Sequence, residues 1–289
     1  GNHPDANLWN YPFLFVNDSD LTLDDLDSMQ SIQIEGPLLG IKRSIMEVEA
    51  IAQLVEEEQT ELPIIALLDG SLIFWSLTGH SYPDFVRETF LEKQLMGALD
   101  RIKTAGSLRK VALASYISLP RSKEVVNSLR LSICPYNPID CNLHCGSLPS
   151  EGRPCDDVDG LFDIDLMRKI LKKNERSAIF FSNSNVMDLY KDHRICYFYV
   201  NTGSEIGRVE LPRWVAEDEQ LLNLLHSGLI AQLSKGQGYP IAIQEAHEQA
   251  VVNTSDRVHL NQLVQELMVG EGLSVDTSEK ARSKRTRFI

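Results

Sequence analysis

The apolar residues of this chain change period along its length, and that change limits its fold more than any single motif. Over 40–59, GIKRSIMEVEAIAQLVEEEQ, the residues Ile41, Ile45, Val48, Ile51, Ala52 and Val55 recur at helical spacing with acids on the opposite face. Beyond Pro63 the spacing collapses into an apolar run, IIALLDGSLIFW, which predicts a buried strand turning at Asp69-Gly70 into a second strand, because Asp-Gly favours a hairpin. A helix is expected over 83–106, closed by Gly106, then a strand over 110–118 and a helix over 121–132 after Pro120. The stretch 134–160, rich in Pro, Gly and Cys, reads as irregular. A helix over 163–173, strands over 177–183, 194–202 and 205–212, and a helix over 214–234 complete the pattern. This order predicts a mixed α/β fold with a strand meander late in the chain and no internal repeat.

At 289 residues and 43% hydrophobic content the chain can bury a large core in one large or two modest domains. No apolar run reaches the roughly 18–20 residues of a membrane span, and no basic start leads into an apolar stretch, so a cytoplasmic protein with no membrane partner is expected. The net charge of −13 argues against broad adhesion to phosphate backbones, but leaves room for a nucleic-acid enzyme whose own metal site is acidic. The strongly basic run is the end, EKARSKRTRFI, with Lys280, Arg282, Lys284, Arg285 and Arg287; residues 271–289 are expected to be a flexible basic tail.

Several residues carry more chemistry than a core requires. Asp69 ends a strand that is otherwise Ile, Ala and Leu, where a charge is costly to leave unpaired. It reads either as a turn residue or as a ligand for a hard cation. The cluster CDDVDGLFDIDLM holds Asp163 and Asp165; one suffices to cap the following helix, leaving the other for a metal, and Glu124 offers a third carboxylate. In KGQGYPIAIQEAHEQAVV, Gly238 is expected to cap a helix that opens at Pro240. Tyr239 and His247 then stand eight residues apart, about 80° around the axis, on adjoining faces. His247 could act as general acid and Tyr239 as a hydrogen-bond donor to phosphate; a core histidine and an ordinary interfacial tyrosine are the bland reading. Cys134, Cys141, Cys145 and Cys155, spaced C-x6-C-x3-C-x9-C around His144, suggest zinc or an iron–sulfur cluster in a reducing compartment, against four free thiols as the alternative.

The segments LLDGSL (67–72), YISLPRS (116–122), NERSAIFFS (174–182), EIGRVELPRWV (205–215) and GYPIAIQEAHEQAVV (238–252) together resemble, in this order, the NurA nuclease family, its cyanobacterial members in particular. The resemblance implies a ribonuclease H-like mixed sheet flanked by helices, with a nuclease domain over 40–270, a cysteine-containing insertion at 134–160 and an N-terminal extension at 1–39. It further implies a homodimer that uses manganese, with magnesium as the alternative, to cut single-stranded DNA and to resect duplex ends from the 5′ side. The partner implied is a HerA-type hexameric ATPase in double-strand break repair. Carried onto this chain, the family's acids fall on Asp69, Glu124 and Asp165, with Asp163 adjacent to the last, and its tyrosine and histidine on Tyr239 and His247. Two other readings are a catalytically silent subunit that binds a motor ATPase and a metal-binding module built on the cysteine loop.

Overall fold

The computed structural model describes residues 7–272 apart from 12, 14, 16, 26–27, 78–81 and 147–152, so the expected basic tail lies almost wholly outside the described residues. The chain divides into a large unit, Tyr11–Glu245, and a smaller one formed by Gly1–Asn10 with Ala246–Ile289. In the large unit a hairpin of β1 (Thr22–Asp25) and β2 (Gln30–Gln33) precedes α1 (Gly36–Glu57) and β3 (Ile64–Asp69). A helical stretch follows, α2 (Asp84–Arg87) and α3 (Met96–Ala105), joined by a wider π-helical turn over Glu88–Leu95. Then come β4 (Val111–Ile117), α4 (Glu124–Ser132), α5 (Cys141–Cys145), α6 (Asp163–Ile170), β5 (Phe180–Phe181), β6 (Ile195–Asn201), β7 (Ile206–Pro212), α7 (Arg213–Ala216) and α8 (Glu219–Lys235). The helix α9 (Ile241–Ala250) leads from the large unit into the smaller, whose other described helix is α10 (Thr254–Gly270).

The strands over 64–212 form a five-stranded mixed sheet in the order β3-β4-β7-β6-β5. Only β3 and β4 run parallel; the remaining pairs are antiparallel, which fits the expected α/β class with a late meander. Alternation along the strands sorts side chains onto two faces. One face carries Tyr116, Phe198, Val209 and Leu211 against Leu222, Leu225, Leu229 and Leu233 of α8. There Gly228 lets the helix close on β3, since a Cβ would stand 2.1 Å from Cδ1 of Ile65. Toward β3 and β4 the other face is covered by α1 and α3: Ile41, Ile45, Val48, Ala52 and Val55, at the helical spacing, meet Leu99, Ile102 and Leu113. Each such side chain contributes roughly 1.5–3 kcal/mol of burial free energy.

Several local expectations are corrected. Asp69-Gly70 does not open a hairpin. The backbone beyond it is taken up by side chains instead of a ladder: Glu210 accepts the Leu72 N–H at 3.0 Å, and the Tyr190 hydroxyl accepts the Phe74 N–H at 2.9 Å while donating to the Leu72 carbonyl at 2.8 Å. The helix expected over 214–234 is broken because the Asp218 carboxylate accepts the N–H groups of Gln220 and Leu221 and starts α8 afresh. Gly238 does not cap α9. Its N–H donates to the Leu233 carbonyl at 2.8 Å with φ at +108°, which closes the end of α8, and α9 begins at Ile241. In the smaller unit α10, for which no helix was expected, is capped by Asn253, whose side chain accepts the Asp256 N–H at 2.9 Å.

Candidate active site

Asp69 is the exposed last residue of β3, directly across the parallel ladder from Tyr116 of β4. The Tyr239 hydroxyl donates to its Oδ1 at 3.0 Å. Tyr239 is steered there by Tyr116, the two rings meeting edge to face at 5.4 Å. Tyr116 is in turn held by Glu205, whose carboxylate accepts the Tyr116 hydroxyl at 2.7 Å and the Ser118 hydroxyl at 2.6 Å. Burial first, then the hydrogen bond to Asp69 and the charges of Asp69 and Glu205, push the Tyr239 phenol well above its ordinary value. It stays protonated, and therefore a donor, at neutral pH. Glu47 of α1 also senses this corner: burial raises its carboxyl, Arg43 lowers it, and the charge of Asp69 raises it again.

On the opposite face Glu124, the first residue of α4, accepts Ser182 Oγ at 2.8 Å and Arg208 Nη1 at 2.6 Å. Arg208 is buried on β7, lies over the Tyr197 ring at 3.7 Å, and donates Nε to Oε1 of Glu210 at 2.9 Å. Glu210 is buried as well; its Oε2 accepts Ser71 Oγ at 2.8 Å and the Leu72 N–H. Burial raises the Glu210 carboxyl against the opposing pull of Arg208. A hydrogen-bonded chain thus runs from Ser182 through Glu124, Arg208 and Glu210 to the residues that follow Asp69. Removing one partner from a buried charge pair of this kind typically costs about 3–5 kcal/mol, because the other charge is left stranded.

Both aspartates of the 163–165 pair carry local hydrogen bonds. Asp165, at the third position of α6, accepts the Phe162 N–H at 2.9 Å and serves as a cap. Asp163 is fully buried and accepts the Val126 N–H at 2.8 Å and the Tyr199 hydroxyl at 2.7 Å. Val126 lies in the first turn of α4, so it is Asp163 that is wired to the helix carrying Glu124. His247 lies exposed near the end of α9, within the smaller unit.

The expected thiolate site is not assembled. Cys134, Cys141, Cys145 and Cys155 are free thiols, with Cys141 exposed and Cys145 buried, and the His144 ring is stacked on Tyr136 at 4.4 Å. Among the described residues no three His, Cys, Asp or Glu side chains are grouped to hold a metal ion. The exposed carboxylate of Asp69 at a strand end is the kind of donor a hard divalent cation takes, whereas both oxygens of Glu124 are engaged by Ser182 and Arg208.

Sequence reasoning passed over Arg208, Glu210 and Glu205. A signal for the first two was present: opposite charges two residues apart in the strand IGRVELP must share one face of the sheet. Glu205 had none, since its role depends on a tyrosine 89 residues away.

The family model described as the NurA domain matches residues 8–252. The crystal structure of the NurA nuclease from Sulfolobus solfataricus is similar to the chain, with 16% identity and a TM-score of 0.46, over 80% of this chain and 67% of that one. No curated protein matches. Because the domain match takes in the whole five-stranded sheet together with Asp69, Glu124, Tyr239 and His247, the chain belongs to the NurA family.

Proposed function

We propose that the chain is a metal-dependent DNA nuclease with a ribonuclease H-like core, which cuts single-stranded DNA internally and resects duplex ends in the 5′ to 3′ direction. It acts in cytoplasmic double-strand break repair as a homodimer with a HerA-type hexameric translocase. The observation that carries this reading is the Tyr239–Asp69 hydrogen bond, which joins residues 170 apart in sequence at the end of a parallel strand pair. A turn carboxylate needs no such partner.

Asp69 would offer its carboxylate to the divalent cation, manganese or magnesium, while Glu124, on the other face of the sheet with both oxygens engaged, is tied through α4 to Asp163. Bound there, the ion supplies an activated water and steadies the leaving oxygen of the phosphodiester. Tyr239 keeps Asp69 in one orientation and presents a protonated phenol to a phosphate oxygen. Arg208 holds Glu124 in place through its Nη1, and Glu210 fixes the backbone just beyond Asp69. His247 is assigned the proton for the leaving oxygen.

A second reading, a silent subunit that only binds a motor ATPase, draws on the fact that both oxygens of Glu124 are already taken, by Ser182 and Arg208. Single-stranded DNA labelled at the 5′ or the 3′ end separates the two. Fragments formed with manganese and abolished by EDTA support the nuclease. An inert protein, with the translocase added, leaves the silent subunit.

A further inference from the structure

Beside Tyr239 lies a cavity of about 460 Å³ lined by Lys173, Thr202, Gly203, Ser204, Gln237 and Gly238 among others. Its size falls within the roughly 300–1,000 Å³ of small-molecule sites, enough room for a phosphate with its attached sugar. Two of its lining residues adjoin the candidate active site in sequence: Gly238 precedes Tyr239, and Ser204 precedes the Glu205 that holds Tyr116.

The lining has the chemistry of an anion site. Lys173 is the charged side chain among the lining residues, and no carboxylate joins it, which disfavours a cation as occupant. The lysine is placed by its surroundings: its aliphatic stem lies against the bare face of Gly203, where a Cβ would stand 3.0 Å from Cδ. Thr202 and Ser204 share a hydrogen bond of 2.9 Å between their hydroxyls, and the Thr202 oxygen accepts the N–H groups of Ser204 and Glu205, so this wall is ordered. At the carboxyl end of α8 two carbonyls are already taken up by backbone donors. Gly236 N–H donates to the Gln232 carbonyl at 3.0 Å and Gly238 N–H to that of Leu233 at 2.8 Å. Gly238 also keeps the cavity clear, because a Cβ there would meet Ser204 Oγ at 2.4 Å.

We infer that this cavity is a subsite for a backbone phosphodiester of a single DNA strand, held by Lys173 and the hydroxyl of Ser204 so that the neighbouring linkage meets Tyr239 and Asp69. The inference rests on the nuclease reading above. Its ligand is the phosphate of a strand rather than a free nucleotide.

The test is fluorescence anisotropy of labelled oligo(dT) with the full chain in EDTA, where no cleavage occurs, across a salt series. Lys173→Ala and Lys173→Gln are compared with wild type and with Lys169→Ala, an exposed lysine outside the cavity. The expected result is a Kd raised about five- to tenfold and a slope of log K against log salt reduced by about 0.7, one single-strand phosphate contact, in both Lys173 variants alone. Thymidine monophosphate at matched ionic strength should compete poorly. Affinity and slope unchanged in the Lys173 variants would remove the subsite and leave the nuclease reading standing. Displacement of the strand by equimolar thymidine monophosphate would identify a nucleotide pocket and overturn the strand assignment. A wild-type protein that binds no DNA would remove both readings together.

Discussion

Tyr239 makes a hydrogen bond to a charged oxygen, and its phenol is held protonated, so Tyr239→Phe isolates that donor without changing shape. Cleavage should fall by about a hundredfold, the usual reach of one positioned donor or acid, while the melting temperature moves little. Equal losses in rate and stability would make the tyrosine a packing residue. The two aspartates at 163 and 165 are separated by stability instead. Asp163→Ala strands a buried N–H and a buried hydroxyl and should cost about 3–5 kcal/mol in urea titration; Asp165→Ala gives up one capping bond, about 1 kcal/mol. Glu210 adds a pH dependence. Its carboxyl is raised by burial above the ordinary 4.5, so its contribution to stability is complete below that value and is lost as pH rises through the higher folded value. Glu210→Gln should flatten this part of the stability profile, and an unchanged slope would place the titration elsewhere.

Helices and strands were legible wherever a period was: α3, β4, β6 and β7 lie within the expected ranges, and α1 starts four residues ahead of its range, at Gly36. What escaped were the junctions, decided at Asp69-Gly70 by partners distant in sequence and at the ends of α8 and the start of α10 by local caps. Asp69-Gly70 carries a hairpin signal, yet Glu210 and Tyr190 claim the backbone that a second strand would need. Gly238 looked like the start of one helix and closes the previous one. At φ +108° and with Ser204 Oγ in the way, Gly238→Ala should destabilise by about 1–3 kcal/mol and reduce cleavage through the adjoining Tyr239. A variant as stable as wild type would mean the turn relaxes freely. The cysteine pattern was legible as a neighbourhood, since Cys134, Cys141 and Cys155 all lie near enough to Cys145 to raise its thiol, yet among the described residues no metal-holding group is formed. The thiols should react with a disulfide reagent in order of access, Cys141 first and Cys196 last, the latter buried and raised to about 11. Reaction of Cys134, Cys141, Cys145 and Cys155 only after chelation would restore a metal site.

Taken whole, the proposed site lies at the carboxyl ends of two parallel strands, with Asp69 and Tyr239 on one face of the sheet and Glu124, Arg208 and Glu210 on the other. A single sequence shows the individual acids but not this division, which arises from register: Asp69 lies opposite Tyr116, and Glu210 opposite Ser115. It also explains how a chain of net charge −13 can address DNA. Strand contacts need only local positive groups such as Lys173, with bulk repulsion screened beyond about 10 Å at moderate salt. The site stands or falls on Asp69, and Asp69→Asn preserves its size and its acceptor for Tyr239. Single-turnover digestion of end-labelled single-stranded DNA in manganese, with wild type and variant at equal melting temperature, should show the variant reduced by at least about a thousandfold, as loss of a metal ligand requires. A variant that digests at the wild-type rate would contradict the assignment of the active site to this end of the sheet.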